Sequence, residues 1–326
     1  MSIEHSGVRA VAHPNIALVK YWGKAERSGN VPAVPSLSIT LDTLTSDTTV
    51  TLIDGPDDVI QLNGEPARPA VADRVSAFVD LVRAQADDTR RVSVATVNNF
   101  PTASGLASSA SGFAALALAA TRAFAMTLNG TALSALARQG SGSAARSLYG
   151  GFVEMAGPDA ASPAAHQIVP EHVWPLEVVV AVTTTGQKRH LSTDGMNLTR
   201  DTSPYYRAWI DSHVADMGDA RSALDDRNFP ALARVSEHSC LKMHGLMLSS
   251  EPGLIYWNPA TLSCIERVRA LRADGLDVFF TIDAGAQVKA VCTPESAASV
   301  RAALDELPGV VETLHVGLGG DARIVD

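Results

Sequence analysis

The sequence predicts an α+β protein built in two halves. Short β-branched or alternating runs interleave with amphipathic helical runs on both sides of residue 180. A turn-rich segment over 98–105 opens directly into an Ala-rich helical run. The length, 326 residues, suits two modest domains or one large one. The division is placed near residue 180, giving halves 1–180 and 181–326.

In the first half, Thr48–Ile53 alternates and is β-branched, and Val59–Leu62 ends at the turn signal Asn63-Gly64. Val75, Phe78, Val79 and Val82 recur at helical spacing, which predicts a helix over Asp73–Ala86. Arg91–Val97 reads as a strand, Ser108–Met126 as a helix, and Gly150-Gly151 as the entry to a short strand. Pro158–Pro175, rich in Pro, Ala and His, reads as a surface excursion. In the second half, Leu176–Thr183 is a strand, and Pro204–Asp225, Pro230–Ser249 and Pro259–Ala273 are helices. Strands at Val278–Ile282 and Val288–Cys292, a helix at Pro294–Leu307 and a last strand at Val310–Val316 follow.

Composition narrows the class. The chain is 46% hydrophobic and 19% charged, so it can bury a core, and its formal net charge of −9 disfavours nucleic acid or an anionic membrane as partner. No apolar run is long enough to span a bilayer, and Met1–Arg9 lacks a hydrophobic signal core. Cys240, Cys264 and Cys292 are few and widely spaced, as small buried hydrophobes in a reducing cytosol would be. A cytoplasmic protein is expected. Anionic substrates would require its positive charge to be concentrated locally.

Two segments concentrate such features. Pro101-Thr102-Ala103-Ser104-Gly105-Leu106-Ala107-Ser108-Ser109 combines small residues, hydroxyls and a following helix N-terminus, the elements of a polyphosphate cradle. On pattern alone a serine-capped helix after a loop is the commoner explanation. The segment is neither a Gly-x-x-x-x-Gly-Lys loop nor a Gly-x-Gly-x-x-Gly turn. Near the N-terminus, Asn15-Ile16-Ala17-Leu18-Val19-Lys20-Tyr21-Trp22-Gly23-Lys24 sets two lysines and two aromatics beside a glycine. Such a cluster can hold a phosphate, or it can be a strand whose lysines face solvent.

The two segments together resemble the diphosphomevalonate decarboxylases of the GHMP kinase superfamily. Ser104-Gly105-Leu106-Ala107-Ser108-Ser109 is similar to that family's ATP loop, and Asn15–Lys24 to its signature. Ser141-Gly142-Ser143-Ala144-Ala145-Arg146-Ser147-Leu148-Tyr149-Gly150-Gly151 and Asp283-Ala284-Gly285 match further segments, and the resemblance runs from about Ala12 to Val316. It implies a two-domain GHMP kinase fold, with an N-terminal α/β domain carrying the ATP loop, a C-terminal ferredoxin-like domain, an active-site cleft between them, and a homodimer.

The resemblance also implies roles. Thr102–Ser109 would hold ATP with Mg²⁺. Asp283 would orient the substrate's C3 hydroxyl and accept its proton, and Lys20 would offset charge on the transferring phosphoryl. Arg146, with the backbone of Ser141, Gly142, Ser143 and Ala144, would hold the substrate carboxylate, and Ala145 would also contact substrate. Tyr21, Lys24, Arg74, Ser192 and Thr193 would hold the end carrying the 5-phosphate, and Trp22 and Gly23 would also contact substrate. Metal ligands are not assigned, and His244 reads as a packed structural histidine.

The expected reaction is ATP-dependent decarboxylation of mevalonate 5-diphosphate to isopentenyl diphosphate. The alternatives are the same reaction on mevalonate 5-phosphate, a GHMP kinase that stops after phosphorylation, and a non-catalytic homologue, which would be expected to lack Asp283 or Lys20. Departures at Val34-Pro35-Ser36, Ala286-Gln287 and Thr193 bear on how many phosphates the 5-position carries.

Overall fold

The structure, a computed structural model, describes residues 7–25, 28–100, 108–161, 163–186 and 190–326. Among these residues the strands form three sheets. The first contains β1 (Val8–Ala12), β4 (Ser46–Ile53), β5 (Val59–Leu62), β6 (Glu65–Pro66), β7 (Arg91–Asn98) and β14 (Arg323–Val325), in the order β14-β1-β4-β7-β5-β6. β4 alternates strictly between buried and half-buried residues, the mark of a sheet with one face on a core. That core is closed by α1 (Pro69–Ala86), α2 (Ser108–Ala123) and α3 (Gly130–Gly140). The alanines of α2 let it lie close against β1 and β4, with Ala110, Ala114, Ala117 and Ala120 fully buried.

The second sheet, β2-β3-β8-β9, comprises β2 (Asn15–Val19), β3 (Ser36–Thr40), β8 (Phe152–Met155) and β9 (Ala165–Val169). The third is antiparallel, in the order β11-β12-β10-β13, from β10 (Glu177–Val182), β11 (Val278–Thr281), β12 (Val288–Cys292) and β13 (Glu312–Gly317). Between β10 and β11 run α4 (Ser192–Thr202), α5 (Tyr206–Asp225), α6 (Phe229–Leu248) and α7 (Pro259–Ala273), and α8 (Pro294–Asp305) joins β12 to β13. With its helices on the two connections, this strand order is the ferredoxin-like β-α-β-β-α-β arrangement. The α+β class and the ferredoxin-like second half agree with expectation.

Several elements depart from expectation for identifiable reasons. Pro69 sits at the start of α1, so the helix begins four residues before Asp73. α2 ends at Ala123 because Ala125 takes a φ of 55°. The stretch expected to be an excursion contains β9, paired to β8. Two helices were not expected: α3, started by an Asn129 side chain that accepts from the Ala132 N–H, and the polar α4. The chain does not finish on β13: β14 returns to the first sheet and pairs with β1. Residue 180 falls inside β10, a strand of the third sheet.

One apolar core is shared. Ile16, Leu18, Leu37, Ile39 and Phe152 of the second sheet pack with Val178, Val180, Phe279 and Val291 of the third and with α5 and α6.

Candidate active site

β2 and β11 carry the central groups. Thr281 Oγ1 donates to the Ala17 carbonyl at 3.2 Å, linking the strand ends. Lys20 follows β2 directly, and its N–H donates to Ser239 Oγ of α6 at 2.9 Å. Asp283 stands in the turn after β11, closed by the Gly285 N–H on the Asp283 carbonyl. These anchors bring together residues 263 positions apart: Lys20 Nζ donates to Asp283 Oδ1 at 2.7 Å. The lysine side chain is 1% exposed and the carboxylate 27%. Lys20 therefore does not point to solvent, as an isolated strand lysine would.

A second lysine completes the group. Lys289 Nζ lies 3.3 Å from Asp283 Oδ2, its own side chain 2% exposed. Burial would raise the Asp283 carboxyl, but the two ammonium charges outweigh it and hold the group well below the usual carboxylate range. Lys289 was not among the expected residues. Its signal in the sequence is a lysine inside the apolar run Val288–Cys292.

Arg146 opens a short 3-10 turn, Arg146–Leu148, and is 2% exposed. Its Nη1 donates to Ser36 Oγ at 2.7 Å and its Nε to Asn15 Oδ1 at 3.2 Å, and none of the ion pairs among the described residues involves it. Burial lowers it to about 10, with Tyr21 and Asp283 acting against that shift. A buried guanidinium held by neutral oxygens is prepared for an incoming anion. The neighbouring backbone is less so. The N–H groups of Ser141, Ala144 and Arg146 close turns on Ala137, Ser141 and Ser143. Asn15 Nδ2 ties the segment to β2 through the Ser143 carbonyl and Ser147 Oγ. Ala145 is fully buried.

The N-terminal motif wraps the other side. Burial pushes Tyr21 up to about 12. Its hydroxyl lies where a side chain on Gly142 would begin, 2.6 Å from such a Cβ, which explains a glycine there. Gly23 has a φ of +117° and lies against the Tyr206 hydroxyl. Trp22, 2% exposed, packs among Met196, Trp209 and Met243, and its Nε1 has no hydrogen-bond partner among the described residues. Lys24 Nζ donates to Thr193 Oγ1 at 3.2 Å. Burial and the charge of Arg74 both lower Lys24, and Asp194 opposes them. Arg74 lies in α1, donates to the Gly140 carbonyl at 2.7 Å and sits 4.6 Å over the Phe113 ring. Lys24, Arg74 and the first turn of α4 with Ser192 and Thr193 thus converge.

Of the nucleotide loop, Thr102, Ala103, Ser104, Gly105, Leu106 and Ala107 lie outside the described residues. Ser108 and Ser109 open α2, and Ser109 Oγ approaches Ser141 Oγ at 3.5 Å. That contact joins the start of α2 to the Arg146 segment. Among the described residues, no group of three or more His, Cys, Asp or Glu side chains is placed to hold a metal.

Two family models cover most of the chain. The diphosphomevalonate decarboxylase-like N-terminal domain matches residues 12–164, and the mevalonate 5-diphosphate decarboxylase C-terminal domain matches residues 178–313. The chain belongs to the diphosphomevalonate decarboxylase family.

Human diphosphomevalonate decarboxylase is 36% identical over 304 residues, spanning 86% of this chain and 75% of the human one. Phosphomevalonate decarboxylase of Haloferax volcanii is 32% identical over 320 residues, 97% of each chain. The mevalonate diphosphate decarboxylase from Enterococcus faecalis, solved in a study of ATP binding mediated by mevalonate diphosphate, superposes with a TM-score of 0.91 at 37% identity, covering 98% and 99% of the two chains. A solved complex of MDDEF with MVAPP, AMPPCP and magnesium gives 0.92 at 37% identity and the same coverage.

Two of this chain's departures from the decarboxylase pattern acquire structural reasons. Gln287 turns away from Asp283: its Oε1 accepts from the Thr183 N–H and its Nε2 donates to the Thr184 carbonyl, both at 2.6 Å. Val34-Pro35-Ser36 still supplies a hydroxyl to Arg146, and His213 Nε2 meets the Pro35 carbonyl at 2.6 Å. His244, 3% exposed, accepts from Trp257 Nε1 at 3.3 Å and packs beneath the Asp283 turn, as expected of a structural histidine.

Proposed function

We propose that this decarboxylase converts mevalonate 5-diphosphate to isopentenyl diphosphate with consumption of ATP. The observation that carries the reading is the Lys20–Asp283 pair, formed by strands from the two halves and set beside a buried Arg146 that has no carboxylate partner among the described ion pairs. The names of the human and Enterococcus relatives support the substrate.

Asp283 orients the tertiary C3 hydroxyl and takes its proton as the oxygen attacks the γ-phosphorus of ATP, whose bond to the β,γ-bridging oxygen breaks to release ADP. Lys20 offsets the charge of the transferring group. The C3–O bond then breaks to release phosphate. The bond to the carboxyl carbon breaks next; its electron pair becomes the C2–C3 double bond, and carbon dioxide departs. Arg146 holds the carboxylate until then. Tyr21, Lys24, Arg74, Ser192 and Thr193 hold the 5-phosphate end, and residues 102–109 take the nucleotide phosphates. Magnesium would come with ATP and offset the charge on its phosphates.

A second reading replaces the substrate with mevalonate 5-phosphate. It is favoured by the Haloferax phosphomevalonate decarboxylase, which matches 97% of both chains. Incubating purified protein with ATP, Mg²⁺ and each phosphorylated mevalonate, while measuring gas release and ADP, separates the readings. Carbon dioxide with the diphosphate supports the first, and carbon dioxide only with the monophosphate supports the second. ADP without carbon dioxide would leave a kinase and sink both. The enzyme is further proposed to be a cytosolic homodimer; three buried free thiols suit a reducing compartment, and sedimentation would read the oligomeric state.

A further inference from the structure

We propose that Lys289 is a positioning residue for the Asp283 carboxylate, pinning the oxygen that Lys20 leaves so that the substrate hydroxyl meets the carboxylate in a single orientation. This rests on the role given to Asp283 above.

The strand pattern shows how unusual the lysine is. β12 pairs with both β10 and β11, and Lys289 stands opposite Val180 and Thr281. Its neighbours Val288, Ala290 and Cys292 face the layer under α7 and α8. Alternation therefore turns Lys289 to the same side as Val291, into the core that joins the two halves. Placing an ammonium there is costly, and an apolar residue of similar size would pack with no such cost. The ion pair with Asp283 is a feature of that position an apolar residue could not reproduce.

Charge neutralisation alone does not account for it. Lys20 already balances the carboxylate, and Arg146 adds further positive charge close enough to act on Asp283. What a second cation adds is geometry. The terminal torsion of an aspartate is a broad rotor, so one contact at Oδ1 leaves the carboxylate plane free to turn about it. A second contact at Oδ2 fixes that plane. A carboxylate has about four lone-pair sites, so two remain for the substrate. Both ammonium groups are buried, whereas the carboxylate side chain is 27% exposed, so the oxygens are braced from behind and open in front.

The test uses the full chain with Lys289→Met, Asp283→Asn and the double variant. For Lys289→Met, kcat should fall about tenfold to a hundredfold, the scale of a misplaced reacting group. KM for both substrates should stay within about twofold, and the thermal midpoint should hold or rise. In the Asp283→Asn background, Lys289→Met should add no further loss, because it acts through the carboxylate. Lys289→Arg, which keeps the cation, should recover much of the lost kcat. Turnover of Lys289→Met within about twofold of wild type, beside an inactive Asp283→Asn, would overturn this proposal alone. So would an additive loss in the double variant. Failure to fold, or a midpoint falling in step with kcat, would make the lysine a structural strut and overturn it too. An active Asp283→Asn would bring down the reading of the site itself.

Discussion

Asp283 touches two lysines yet keeps an open side, and its removal should be felt in rate more than in binding. Asp283→Asn should lower kcat by about 10²–10⁴-fold, the range for a positioned proton acceptor, with little change in the binding of ATP or substrate measured by calorimetry. Arg146→Ala should act differently, because its proposed anion is the substrate's own carboxylate. KM should rise about tenfold to a hundredfold, the worth of a charged hydrogen bond, with kcat falling as well; steady-state kinetics would register both. Lys20, Asp283, Arg146 and Lys24 stood out in the sequence through the resemblance of the long motifs that hold them, and the structure brings Lys20 to Asp283. Lys289 did not stand out. Its neighbours are apolar, and only the pairing of β11 with β12 turns it toward Asp283. Trp22 belongs to the motif and packs its ring against Met196 and Met243, contacts the motif does not report.

Elements with local signals were read closely. α7 starts where Asn258 and Thr261 form a capping box beside Pro259, and β4 shows its alternation in sequence. Asn258 also donates to Thr183 at the end of β10. Asn258→Ala should therefore cost about 1–2 kcal/mol, at the upper end for an N-cap, as a lower midpoint in urea at unchanged slope. Elements defined by distant partners were missed. β14 is three residues long and exists as a strand because β1 offers it a register. β9 depends on β8 in the same way. α4 is largely polar; its Gly195 lies against Trp22 and Tyr256, contacts no local period reports.

At the scale of the molecule, the division expected near residue 180 conceals the core common to both halves. Leu18, Ile39, Phe152 and Val178 meet Phe279 and Leu232 within one apolar cluster. Urea unfolding should accordingly be a single transition by fluorescence and by circular dichroism, and polypeptides 1–180 and 181–326 produced separately should be insoluble. Two internal histidines add a dependence on acid. Burial lowers His213 to about 4 and His244 to about 3, so both are neutral when folded. An unfolded histidine takes up its proton near pH 6.5. Stability is therefore fully present above pH 6.5 and is lost as pH falls toward 4 and below, because the unfolded chain binds protons the folded one refuses. Melting curves across pH 7 to 4 should show the decline, and His213→Phe should make it shallower. The contact between Lys20 and Asp283 forms across the seam of that common core. If the proposed roles of Lys20 and Asp283 hold, recombining the front of one homologue with the back of another should yield working chimaeras only when the seam residues travel together.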